Sequence, residues 1–280
     1  MKYELRHLSF GETLGQAFNL YFANFIPLFM ISLISSLPAI IFLHTSGMGV
    51  KGLYVTPSPL TLIIFSFLFI VVNILCTALM IEFISKKYLK QPQDIGQYIR
   101  NVLPFIFPII GLSILAVLIV GGPVLLIALI GGSNKDFFVL LTFLYIVPGT
   151  YLVLGLILSP QVLIVERKKV IESIQRSFFL TRGSKLVIFG FLMVIGMLNL
   201  VLTRWVVPEI ITRFIIRMNM AYQTKLTVAY TIAHLTDILL NPITACLIIL
   251  IYFNLRIEKE GFDLEHLVDQ FGSPVPGESK

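Results

Sequence analysis

Charge is what this chain has least of. Only 13% of its 280 residues are Asp, Glu, Lys or Arg, against 57% hydrophobic, and the mean hydropathy is +0.92. A soluble domain carries about 25% charged residues. So little charge excludes a water-soluble globule of this size, and a lipid bilayer is the solvent that accepts so much apolar side chain. Cysteine is scarce as well. Cys76 and Cys246 both fall inside apolar runs, which excludes a disulfide framework and reads as two small buried hydrophobes. The sequence has no P-loop, no GxSxG, no HExxH and no paired-cysteine zinc motif. His7, His44, His234 and His266 are scattered, and the loops are too short for a catalytic domain. No enzyme activity, catalytic residue, metal or cofactor is therefore expected. A cleavable leader is not seen either. The first long apolar run starts near Tyr21, with no small-residue cleavage site after it, so the first span is expected to stay.

What remains is an all-α pattern: a polytopic membrane protein with six transmembrane helices in three hairpins, each preceded by an interfacial amphipathic helix. The spans read as residues 22–43, 59–84, 104–130, 137–165, 186–207 and 230–253. Residues 1–257 form one transmembrane domain, and 258–280 a cytoplasmic tail. Gly121-Gly122-Pro123 predicts a kink or break in the third span. Pro148-Gly149 lies near the middle of the fourth.

Three short amphipathic helices punctuate the spans. Ser9 and Glu12 form a capping box, and Phe10, Leu14, Ala17, Phe18 and Tyr21 share the first helix's apolar face. Ile95, Tyr98, Ile99 and Val102 share that of the second. In the third, Val170, Ile171, Ile174 and Phe178 oppose Lys168, Glu172, Gln175 and Arg176. Glu172 stands four residues before Arg176, the favourable order for a helical ion pair, and Gly183 is a left-handed stop. A further amphipathic stretch covers 208–220. Thr13, Asp94 and Ser173 occupy similar places in the three helices, 81 and 79 residues apart. Three repeats are thus expected, at 9–84, 92–165 and 168–257, with an axis along the membrane normal.

Most of the 21 Lys and Arg residues gather at one set of span ends. That bias predicts both termini on the cytoplasmic side. The net charge of +6 accordingly points to anionic lipid headgroups and not to nucleic acid. Arg167, Lys168, Lys169, Arg176 and Arg182 are the candidate headgroup contacts. Glu82 and Glu166, at span ends, are expected to pair with Lys86, Lys87 and Arg167. His234, Asp237 and Asn241 in the sixth span are the candidate polar pathway, because ionisable groups inside a membrane are costly and mark function by default. A later start to that span would instead leave them at the interface.

The run PQVLIVERKKVIESIQRSFFLTRG, with Pro160, Glu166, Arg176-Ser177, Phe178 to Leu180 and Gly183, resembles a signature of the bacterial membrane-domain family named after glycerophosphoryl diester phosphodiesterase. The end of the sixth span, with Pro242, Tyr252, Leu255-Arg256, Glu260-Gly261 and Asp263-Leu264, is similar to that family's ending. The resemblance implies a six-span protein of the bacterial cytoplasmic membrane. It implies no catalytic residue, because the phosphodiesterase's metal ligands belong to a separate soluble domain. Two functions follow as expectations. One is a non-enzymatic scaffold or accessory protein acting through membrane lipids and a protein partner at the tail or surface helices. The other is a small transporter or lipid-handling protein with a polar site near His234 and Asp237.

Overall fold

The computed structural model describes residues 6, 8–45, 58–91, 93–131, 135–207, 209–210, 213 and 222–262. Every element among them is helical. In chain order they are α1 (Phe10–Ala23), α2 (Phe25–Thr45), α3 (Pro59–Tyr88), α4 (Ile95–Val102), a 3-10 turn (Leu103–Phe105), α5 (Ile106–Gly131), α6 (Lys135–Leu156), α7 (Ser159–Val165), α8 (Val170–Thr181), α9 (Lys185–Val201), a π-helical turn (Leu202–Val206) and α10 (Tyr222–Glu260). Six segments are long and apolar enough to cross a membrane: Phe25–Phe42, Pro59–Tyr88, Ile95–Ile130, Asp136–Val165, Lys185–Val206 and His234–Glu260. This is the architecture of a multi-pass membrane protein. The 208–220 stretch, apart from 209, 210 and 213, and the tail beyond 262 lie outside the described residues.

The second half of α10 is the hub. Its spanning segment is 61% buried, whereas no other exceeds 22%. Cys246, Leu247, Ile249, Tyr252 and Phe253 have essentially no exposed surface. Around them pack α1, the end of α3, α7, α8 and α9. The α5–α6 hairpin is peripheral, with Val117, Leu125, Leu129, Phe143 and Val147 turned outward. An apolar surface of that kind suits hydrocarbon and would be a liability in water.

All three expected short helices form, and each buries only part of its expected apolar face. In α1 the buried residues are Thr13, Ala17, Leu20 and Tyr21, while Phe10 is 42% exposed and lies stacked on Phe191. In α4 they are Tyr98 and Val102, with Ile95 and Ile99 exposed. In α8 they are Ser173, Ser177, Leu180 and Thr181, with Ile171 exposed. In α8 the small, hydroxyl-bearing positions face protein, where they permit close approach. Ser177 Oγ donates to the Gly155 carbonyl at 2.6 Å. A Cβ on Gly155 would meet the Phe178 ring at 2.3 Å. The helices also share a register. Their N-caps are Ser9, Asp94 and Lys169, and the fourth and eighth residues beyond each cap are buried. The structure thus places Asp94 with Ser9 and Lys169, four residues from the expected match with Thr13 and Ser173.

α1 runs antiparallel along α10. At one end the Leu8 amide donates to Asn254 Oδ1 and Asn254 Nδ2 donates back to the Leu8 carbonyl. At the other, the Tyr21 hydroxyl donates to the Leu239 carbonyl at 2.8 Å. The expected capping box is present: the Ser9 amide and hydroxyl both donate to Glu12 Oε2. Gly183 is left-handed as expected, at φ +84°.

The third span does not break at Gly121-Gly122-Pro123, and α5 runs through it. A helical proline deprives the carbonyl four residues back of its donor and loosens the bond to the next carbonyl. Here the Tyr145 hydroxyl donates to Val120, three residues before Pro123, at 2.7 Å. The same device recurs twice. Asn73 Nδ2 donates to the Ser35 carbonyl, three before Pro38, and Tyr21 to Leu239, three before Pro242. Neighbouring helices thus supply a donor to the carbonyl three residues before each of these prolines. The break falls in the fourth span instead, at residues 157–158 between α6 and α7, just ahead of Pro160.

Two measurements test this packing. Gly155→Ala should cost about 1–3 kcal/mol through overpacking, read as a lower Tm in detergent, and Phe178→Leu should recover most of it. Glu12 is held near a pKa of about 2, against an ordinary 4.5, first by the hydrogen bond from Arg6 and then by those from Ser9. Because the folded value is depressed, its contribution is present above pH 4.5 and fades as pH falls toward 2. Glu12→Gln should flatten the stability profile across that window.

Candidate functional site

Two polar clusters flank the described part of α10, one toward each end, and in the second Asp237 and Asn241 are exposed. The first stands at its C-terminal end. Glu166, the last residue before the left-handed Arg167, accepts from Arg176 Nε at 3.1 Å and from the Tyr252 hydroxyl at 3.0 Å. Lys168 Nζ is 3.3 Å from its other side. Arg176 also donates to Glu260 at 2.7 Å, and Arg256 reaches Glu260 at 3.3 Å while lying over the Phe262 ring. Lys259 donates to the carbonyls of Phe179 and Arg182, closing the C-terminus of α8. Two carboxylates and two guanidiniums thus tie α7, α8 and α10 together. Burial pulls the Arg176 pKa down, and the hydrogen bonds and charges of Glu260 and Glu166 more than offset it, so the net direction is upward.

Several expected pairings change here. Arg176 does not pair with Glu172, which is exposed; it turns inward to Glu166 and Glu260. Glu166 pairs with Arg176 and Lys168 in place of Arg167. Glu82 does not pair with Lys86 or Lys87. It is 5% exposed and accepts from Asn101 Nδ2 at 2.9 Å. Of the candidate headgroup contacts, Arg176 and Lys168 are engaged by carboxylates, and Arg167, Lys169 and Arg182 are exposed.

The second cluster is a pocket of about 260 Å³ between α2, α9 and α10. Its lining is polar throughout: Ser32 and Ser36, Asn199, and Asp237, Asn241 and Thr244. Asp237, Asn241 and Thr244 form one helical stripe at i, i+4 and i+7. Two of the three expected pathway residues, Asp237 and Asn241, therefore meet here; His234, one turn earlier and half-buried, does not line the pocket. Ser32, Ser36 and Asn199 escaped notice because a serine or asparagine in a long apolar run has no signature until partner helices bring several together. Asn199 lies one turn before the π-helical segment Leu202–Val206, and Asn241 immediately precedes Pro242. Irregular turns of both kinds often mark functional positions.

No family model, curated protein or solved structure matches the chain. What the fold defines on its own is a class: an all-helical, multi-pass membrane protein. Among the described residues no group of three or more His, Cys, Asp or Glu is placed to hold a metal ion.

Arg176→Ala should destabilise the protein by about 2–3 kcal/mol, since it strands two largely buried carboxylates and only Arg256 and Lys168 remain to compensate. Glu172→Ala should leave Tm unchanged. The pair of melting curves in detergent checks both.

Proposed function

We propose that this protein binds a small polar ligand in the pocket between α2, α9 and α10, and that it is a transporter or lipid-handling protein without catalytic activity. It would reside in a bacterial cytoplasmic membrane with both termini on the cytoplasmic side. The pocket carries the reading: six polar side chains converge within segments otherwise made of Leu, Ile, Val and Phe. Polar groups in hydrocarbon are expensive, and a cluster of them signals a pathway or a site. Thr244 and Asp237 are twelve and nineteen residues from Arg256, about 18 and 28 Å of helix. With Arg256 at one boundary of a hydrocarbon layer about 30 Å thick, the pocket runs from near the midplane toward the far side.

Three repeats at 9–84, 92–165 and 168–257 belong to this proposal. The shared register of α1, α4 and α8 supports them, as do the left-handed residues Lys90, Arg167 and Gly261 that end α3, α7 and α10. Membership of the family named after glycerophosphoryl diester phosphodiesterase is likewise proposed, on the Pro160–Gly183 and Pro242–Leu264 likenesses alone.

A second reading, a scaffold contacting lipid headgroups and a protein partner, draws on the exposed Arg167, Lys169 and Arg182. Native mass spectrometry of the detergent-purified protein separates the two. A small ligand retained by the wild type and released by Asn241→Leu, which fills the pocket, is the expected outcome. Co-purifying protein with no small ligand would select the scaffold instead.

A further inference from the structure

We infer that the pocket ligand is a small cation, either a hydrated alkali ion or an ammonium group. This inference rests on the pocket being a binding site at all, and concerns what occupies it. The argument is one of donors and acceptors. Asp237 contributes a carboxylate, and among the described residues no Lys, Arg or His lines the pocket to answer it. Ser36 spends its hydroxyl proton on the Ser32 carbonyl at 3.0 Å, which leaves its oxygen lone pairs available. Asn199 spends an amide N–H on the Ile195 carbonyl at 3.1 Å, which leaves its Oδ1 uncommitted. The Ser32 hydroxyl is 1% exposed and has no hydrogen-bond partner in the protein, although it lines the pocket. A buried hydroxyl left unpaired is costly, so a ligand that engages it removes that cost.

The lining therefore offers several hard oxygens and one negative charge, beside the amide N–H groups of Asn199 and Asn241. Alkali cations and ammonium groups seek such a set. An anion would meet the Asp237 carboxylate with no cation in the described lining to offset it, and would be repelled. The volume of about 260 Å³ exceeds that of a bare ion and leaves room for retained waters or for a short amine.

The test is direct binding to detergent-purified full-length protein, with 22Na+ in one arm and 14C-methylamine in the other. Saturable binding of at least one probe is expected. Saturation by sodium alone assigns a metal ion, and by methylamine alone an ammonium group. Asp237→Asn should weaken it by about 10- to 100-fold, the scale of one charged hydrogen bond. Ser32→Ala should weaken it less, by about 3- to 10-fold. Circular dichroism shows whether each variant is folded; should Asp237→Asn not fold, Ser32→Ala and Asn241→Leu carry the test. Absence of saturable binding in both arms, or binding unchanged in the folded variants, overturns the assignment. A neutral or anionic ligand released by Asn241→Leu, with neither probe bound, would overturn the cation and leave the pocket reading standing.

Discussion

A proline inside a membrane-spanning helix disturbs the hydrogen bonding of the carbonyls one turn back, and at Pro38, Pro123 and Pro242 this chain brings a side-chain donor from a neighbouring helix to one of them. Asn73 reaches Ser35 ahead of Pro38, Tyr145 reaches Val120 ahead of Pro123, and Tyr21 reaches Leu239 ahead of Pro242. Each is a contact between elements and not within one. Satisfying polar groups therefore also sets which helices are neighbours: α2 with α3, α5 with α6, α1 with α10. In water such bonds would add little to the hydrophobic effect. In lipid, where apolar side chains gain nothing by preferring one another to the acyl chains, small residues and polar contacts have to do that sorting.

The same constraint explains why the three short helices turn as they do. Periodicity marks their apolar stripes, and in a soluble protein those stripes would be buried. Here Ile95, Ile99, Ile171 and Phe10 stay exposed, while Thr13, Ser173, Ser177 and Thr181 are shut away. Ser173 and Thr13 bond back to their own helices' carbonyls, and Ser177 to that of Gly155. With polar atoms internally paired, the apolar side is free to meet acyl chains. The two polar clusters follow contrasting rules. In the first, Glu166, Glu260, Arg176 and Arg256 satisfy one another, and the result is a joint. In the second, among the described residues, Asp237 has no cationic neighbour in the lining and the Ser32 hydroxyl no hydrogen-bond partner.

Much was legible from residue types alone. Six spans, all helical, appear at nearly the right positions, because runs of about 20 apolar residues have few other fates. Local signals also held: the Ser9–Glu12 box and the left-handed Gly183 depend on a few adjacent residues. Asp237 and Asn241 stood out, because a carboxylate in an apolar run is conspicuous. What was not legible involves distance along the chain. Arg176 meets Glu260 across 84 residues of sequence, and Ser32 shares a pocket with Asn241, which stands 209 residues later in the chain. The Gly-Gly-Pro break failed to appear because its remedy, Tyr145, lies in another helix.

Composition and local order determined the solvent, the helices and their caps, since these depend on the hydropathy of a single segment and on bonds within one turn. Only the tertiary structure decided which serine, tyrosine or arginine each helix presents to its neighbours. A lone polar side chain in a long apolar run reads the same whether it pairs, caps a proline or lines a pocket. The difference lies in what another helix, tens of residues away, places opposite it.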